Sequence, residues 1–189
     1  MPDPVLPLGG ARFDGAVKIE ETLLGMIALR GDLSSPAVAE ATRAVCGAAM
    51  PGQREASLAG ESGLLWMSPD ELLVLVPRAE APDCARTLAE RLSGEHALVQ
   101  DMSDARAVFA LAGDDARLRE TLAKLAPADV SPAGLPAGMV RRTRLAQAPA
   151  AFWLVRPGEA RVVCFRSVAS YVFDLLSAAA APRAEVGIW

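Results

Sequence analysis

The chain has 189 residues, 52% of them hydrophobic, with 19 Lys and Arg against 23 Asp and Glu for a formal net charge of −4. That length supports one substantial core or two small joined lobes, and the near-continuous patterning offers no linker, so one globular unit is expected. The acidic balance and a sequence pI near 5.1 argue against a nucleic-acid partner, because phosphate binding depends on clustered Lys and Arg.

The opening stretch Met1-Pro-Asp-Pro-Val-Leu-Pro-Leu-Gly-Gly10 has neither a basic start nor a long apolar core. It does not read as a secretory signal, and the chain is expected in the cytoplasm. No window approaches the ~18 uninterrupted apolar residues of a bilayer span, so no membrane partner is expected. A mean hydropathy of +0.26 fits either an Ala-rich core or a face that a partner covers. Cys46, Cys84 and Cys164 are widely spaced, which suits buried thiols in a reducing compartment rather than a disulfide framework.

Residues 1–22 are rich in Pro and Gly and weakly periodic, and read as an N-terminal arm lying on a surface or adding an irregular edge. Leu24 to Arg30 is strand-like and stops at Gly31-Asp32. Ser35 and Pro36 then form a cap and first-turn pair, Val38, Thr42 and Val45 follow at helical spacing, and Gly47 supplies the stop. Leu64–Met67 and Leu72–Val76 flank Ser68-Pro-Asp-Glu71, which predicts a hairpin. Pro82 opens a helix with Cys84, Leu88 and Leu92 on one face, and Ala97–Val99 closes a first half, residues 23–100, of order βαββαβ.

The second half, residues 101–180, begins with a strand over Ala107–Ala112. Asp114 caps the next helix, whose Leu118, Leu122 and Leu125 share a face. Pro127–Gly138 reads as a loop, and Met139–Leu145, Ala151–Val155 and Arg161–Phe165 as strands. Ser167 is expected to cap a final helix with Val168, Tyr171, Val172, Leu175 and Leu176 inward, before a tail at 181–189. The halves repeat each other. Leu24-Gly-Met-Ile-Ala-Leu-Arg-Gly-Asp32 has its counterpart in Ala107-Val-Phe-Ala-Leu-Ala-Gly-Asp114, and Gly31 and Gly113 lie 82 residues apart, Trp66 and Trp153 87, Pro77 and Arg166 89. A slowly drifting offset predicts an α+β fold of two pseudo-repeated halves with ferredoxin-like elements, differing in loop length.

Candidate chemistry is sparse. The single histidine, His96, would have to serve any Ser-His-Asp triad or zinc site, and no clustered partners accompany it. Neither Leu8-Gly-Gly10 nor Ala59-Gly60 has the spacing of a phosphate cradle. Asp101-Met-Ser-Asp104 can orient a water or accept from an amine, or can form a turn bonded to its own backbone. Arg141, Arg142 and Arg144 share one predicted strand, with Arg141 on the face opposite Arg142 and Arg144. They make either a solvated face or a docking patch for an acidic partner. Arg166-Ser167 at a helix start can hold an anion or simply cap. Trp66 and Trp153 are expected in the core, and the terminal Ile188-Trp189 is either frayed or clamped by a neighbouring chain.

Val99–Leu118 resembles the strand-Gly-Asp-Ala-helix opening of the folate-dependent aminomethyltransferase superfamily. Leu122-Ala-Lys-Leu-Ala-Pro-Ala-Asp-Val130, Gly134-Leu-Pro-Ala-Gly-Met-Val-Arg-Arg-Thr143, Phe165-Arg-Ser-Val-Ala-Ser-Tyr-Val-Phe-Asp-Leu-Leu176 and Trp66-Met-Ser-Pro-Asp-Glu-Leu-Leu-Val74 narrow this. In their order along the chain they resemble the gamma subunit family of heterotetrameric sarcosine oxidase, over roughly residues 20–180. The resemblance implies the aminomethyltransferase folate-binding fold and a non-catalytic subunit without cofactor of its own, packed mainly against an alpha subunit. FAD, FMN, NAD and folate would then reside in the large subunits that oxidatively demethylate sarcosine.

True transferases carry an essential Asp in a hairpin whose counterpart here, Gly138–Gly158, contains no Asp or Glu. The related iron–sulfur maintenance proteins carry a Lys-Gly-Cys-aromatic-x-Gly-Gln-Glu signature. Here only Val163-Cys-Phe-Arg-Ser167 stands in its place. The alternative to an assembly subunit is a free-standing folate-binding or one-carbon transfer domain using Asp101, Ser103 and Arg144.

Overall fold

Alternation of apolar and charged residues shapes the first regular elements of the chain. A computed structural model describes residues 5–187. Within the expected arm it forms two strands, β1 (Arg12–Asp14) and β2 (Val17–Thr22). Val17 and Ile19 of β2 are buried in a core, while the intervening Lys18 and Glu20 are exposed. The three charges of Val-Lys-Ile-Glu-Glu-Thr hide a period-2 strand behind a polar count, and the irregular arm expected there gives way to regular sheet.

The chain then divides into two compact units, Leu24–Ser103 and a second made of the segments on either side of it. In the first, β3 (Gly25–Arg30) leads into α1 (Pro36–Cys46). Ser35 caps α1 by accepting from the Ala37 amide, Pro36 occupies its first turn, and Gly47 ends it at φ 70° with its amide on the Arg43 carbonyl. There follow β4 (Ala56–Ala59), β5 (Ser62–Ser68), β6 (Glu71–Val76), a 3-10 turn, α2 (Ala81–Arg91) and β7 (Leu98–Asp101). The sequence gives little sign of β4, a four-residue edge strand with Leu58 as its one large apolar residue.

The sheet runs β4-β5-β6-β3-β7, antiparallel throughout. Ile27, Leu29, Leu64, Val74 and Val76 pack with Val38, Ala41, Leu88 and Leu92 of the two helical segments. Met26, Leu65, Leu73 and Leu75, which alternate with them, are buried as well. That is why β6 reads as an unbroken apolar run rather than a half-solvated strand.

The split unit holds β8 (Arg106–Gly113), α3 (Asp115–Ala123), β9 (Val140–Leu145), β10 (Ala148–Arg156), β11 (Glu159–Phe165), a 3-10 turn at Arg166–Val168 and α4 (Ala169–Ala179). Its sheet order is β1-β2-β8-β11-β10-β9, and β2 pairs with β8 from Val17 opposite Gly113 to Thr22 opposite Val108. Phe109, Leu111, Phe152, Leu154 and Val162 form the core with Leu118 and Leu122 of α3 and Val172 and Leu176 of α4.

The end of this unit departs from expectation. Ser167 lies in the 3-10 turn, and α4 begins two residues later at Ala169 with no side-chain cap. The inward stripe is therefore Ala169, Val172, Leu176 and Ala180, and Tyr171 points outward, 44% exposed. Likewise α3 ends before Leu125, which is only half-buried. Trp153 is buried as expected, whereas Trp66 on β5 is half-buried. Among the described residues no helix is long and apolar enough to cross a membrane.

Leu122 is fully enclosed, which makes it worth roughly 1.5–3 kcal/mol by burial alone. Leu122→Asp adds an unpaired buried charge to that loss, and the split unit is expected to be unfolded at 25 °C. Loss of near-ultraviolet circular dichroism from the Trp153 environment, compared with Leu122→Met as control, checks it.

Candidate functional site

The polar groups singled out in the sequence are spread over both units. In Leu24–Ser103, the Asp101 carboxylate accepts from the Ser103 amide at 2.9 Å and hydroxyl at 2.5 Å, while the Ser103 hydroxyl accepts from the Met26 amide at 3.0 Å. Ser103 is buried and bonded on both sides. These bonds close a turn that anchors the start of β3. In the same unit a cavity of about 450 Å³ is lined in part by Arg30, Asp32, Asp70 and His96. Asp32 accepts from the amide and hydroxyl of Ser34, which hold its carboxyl below the usual range. Asp70 accepts from the Ser68 hydroxyl, and Arg30 pairs with the buried Glu71 at 2.7 Å. These groups close local turns and strand ends.

In the split unit, β9 places Arg141 on one face and the exposed Arg142 and Arg144 on the other, as the strand period requires. Arg141 donates to the Gly134 carbonyl and to that of Val140, tying β9 to the preceding loop. Arg144 lies opposite Pro149 on an edge strand. Arg166 donates to the Val5 carbonyl at 3.0 Å and so holds the N-terminal segment. Trp189 lies outside the described residues.

The most heavily engaged polar groups escaped the sequence reading. Arg119 of α3 is 3% exposed. Its Nε donates to Asp115 at 2.8 Å, and its Nη1 reaches the carbonyls of Val130, Leu135 and Ser131 at 2.8, 3.0 and 3.1 Å. One guanidinium thus binds three carbonyls of a loop that has little regular structure to satisfy them. The i, i+4 spacing of Asp115 and Arg119 was the available signal.

Asp115 also accepts from the Gly158 amide at 2.9 Å. Gly158 turns β10 into β11 at φ 78°, and a Cβ there would stand 2.5 Å from the Gly113 carbonyl oxygen. Burial pushes the Asp115 carboxyl up, and the Arg119 guanidinium and Gly158 amide together bring it below its ordinary 3.8. Glu21 of β2, 3% exposed, accepts from the amides of Leu8 and Gly10 and fixes the segment before β1.

Chemistry that needs a carboxylate base finds none in the β9–β10 hairpin, since Gly138–Gly158 carries no acidic residue and presents arginines instead. The thiols are quiet: burial pushes the Cys164 thiol up to about 12 and raises Cys46 as well. Neither Cys46 nor Cys164 is expected to take up iodoacetamide in the folded chain, while the half-buried Cys84 labels slowly. Peptide mass mapping before and after denaturation reads this out.

Arg119→Ala leaves the Val130 and Leu135 carbonyls without their guanidinium and removes the ion pair to Asp115, and is expected to cost about 2–4 kcal/mol in urea unfolding, against less than about 0.5 kcal/mol for the exposed Arg144→Ala. Because the folded pKa of Asp115 is lowered, its contribution is present above pH 3.8 and is lost as pH falls through the lower folded value. Asp115→Asn should accordingly flatten the acid limb of a stability–pH curve and leave its slope near pH 7 unchanged.

The profile of the sarcosine oxidase, gamma subunit family matches residues 30–182. Sarcosine oxidase subunit gamma of Arthrobacter sp is 34% identical over 151 residues, which are 77% of this chain and 70% of that protein. The solved structure of heterotetrameric sarcosine oxidase from Corynebacterium sp. U-96 in complex with pyrrole 2-carboxylate includes a chain superposing with TM-score 0.77 at 26% identity. The match covers 89% of this chain and 86% of that one. The glycine cleavage system aminomethyltransferase T of Bartonella henselae shares the fold, with TM-score 0.59 at 14% identity over 91% of this chain and 56% of its own. By its match over residues 30–182 and its identity to the Arthrobacter subunit, the chain belongs to the sarcosine oxidase gamma subunit family.

Proposed function

We propose that the chain is the gamma subunit of a heterotetrameric sarcosine oxidase, a non-catalytic component that assembles with and stabilises large subunits carrying out the oxidative demethylation of sarcosine. The observation that carries this is the family match over residues 30–182, together with the structural likeness to a chain of the assembled enzyme. The side chains support it. The polar groups most open to a chemical reading, Asp101, Ser103 and Asp32, are consumed by turns, and the hairpin that would hold a transferase carboxylate has none. On this reading FAD, FMN, NAD and folate belong to the large subunits and the alpha subunit is the main contact, as the family resemblance implies.

The same reading includes an internal duplication. Taken from the edge inward, β4-β5-β6-β3-β7 corresponds to β9-β10-β11-β8-β2, each with a helix after β3 or β8 and another after β6 or β11. The matching hairpins turn through two residues each, Gly60-Glu61 with Ala146-Gln147 and Pro69-Asp70 with Pro157-Gly158. Both β5 and β10 also carry an irregularity near their ends, at Trp66/Ser68 and Leu154/Arg156. Two ferredoxin-like halves fit this, the second completed by a strand from the N-terminal segment.

Expressing the large subunits with and without this chain tests the role. Omitting it is expected to lower assembled, flavin-loaded complex and sarcosine turnover by ~10-fold or more, as loss of a stabilising partner does by mass action. Equal assembly and turnover without it would defeat the proposal. Calorimetry of the isolated chain with tetrahydrofolate is expected to show no specific heat. A saturable one-site isotherm would favour the free-standing one-carbon domain.

A further inference from the structure

The last described residues are held to α3 by charged side chains acting on main chain. Glu120 is 2% exposed, and its carboxylate accepts from the amides of Val186 and, at 3.3 Å, Gly187. Lys124, one turn on, pairs with Glu120 at 3.4 Å and donates to the carbonyls of Ala184 at 2.6 Å and Ala179 at 3.1 Å, bridging the tail to the end of α4. Arg117 completes the charge around Glu120 at 3.8 Å.

Side chains of the tail contribute little. Pro182, Arg183, Glu185 and Val186 are exposed, Val186 by 69%, so burial of apolar surface does not hold it. Arg183, at the turn between α4 and the bound residues, has φ 67°, a left-handed conformation that a non-glycine residue keeps only when its surroundings impose it. Here the surroundings are the Lys124 bridge and the Glu120 bonds.

We propose that Ala184–Gly187 is a latch on α3, gripped through its backbone by Glu120 and Lys124, that opens as a unit while the rest of its fold stays closed. Charge-assisted bonds supply the grip and the turn at Arg183 opposes it, so the balance lies in two side chains rather than in the core. Opening bares a carboxylate that is otherwise enclosed.

Hydrogen exchange on the full chain, followed at Val186 and Gly187 and at β8 as reference, tests this together with tryptic cleavage after Arg183. The wild type is expected to show protection at both tail amides, lost faster than that of β8. Glu120→Gln should speed exchange there by ~10-fold or more and hasten cleavage at Arg183, with β8 unchanged. Lys124→Met should act in the same direction with Glu120 intact, and decides the matter if Glu120→Gln does not fold. Arg183→Gly, which relieves the turn, should slow exchange at both amides. Unprotected tail amides in the wild type, exchange of the tail only in step with β8, or variants that leave Val186 and Gly187 unaffected would each overturn the proposal.

Discussion

A single helix, α3, organises the split unit by presenting different chemistry on adjacent residues. Leu118 and Leu122 enter the core, while between them Arg119 and Glu120 are buried with their charges intact. Burying a charge is costly unless it is paired and fully bonded, and here each has an opposite charge and main-chain partners: Arg119 has Asp115 and loop carbonyls, Glu120 has Lys124 and tail amides. Irregular backbone has no ladder of its own to satisfy its polar groups. The helix supplies that missing partner, to a long loop through Arg119 and to residues 184–187 through Glu120 and Lys124. Glu21 does the same for the segment before β1.

Local signals in the sequence anticipated much of the fold and little of this arrangement. The Ser35-Pro36 start and Gly47 stop of α1 and the Asp114 cap of α3 stand where the sequence places them, because each rests on a local rule of chain geometry. The β5–β6 hairpin and the strands after the 124–139 loop are legible for the same reason. β2 and β4 were not, since three charges mask one and small residues the other, and only pairing with β8 and β5 makes them strands. In α4 the inward Val172 and Leu176 stand as the spacing places them, while the start moves to Ala169 behind a 3-10 turn and Tyr171 falls outside the stripe. At the candidate site, Asp101 and Ser103 could be read either way from spacing alone. Arg119 could not be separated from an ordinary solvated helix residue, because its partners come from a loop more than ten residues distant in the chain.

A family resemblance and the side-chain geometry bear on function from opposite directions. Kinship with the gamma subunits concerns the whole scaffold, whereas the site-level observation is that polar groups are spent on structure. The likeness to the aminomethyltransferase concerns fold alone at 14% identity, and the β9–β10 hairpin carries arginines and no acidic residue. The strands and helices themselves are accounted for by packing and capping.

The split composition of the unit holding β2 and β8 bears on how the polypeptide matures during synthesis. β2 leaves the ribosome before the 80 residues of Leu24–Ser103, and the strand that receives it is made only afterwards. The inserted unit has all its strands in one uninterrupted stretch and can close while translation continues, whereas its neighbour must wait with an unpaired edge for distant segments to arrive. The β2 edge thus stays without its β8 partner until residues 106–113 have been made, an interval in which an open strand edge invites mispairing.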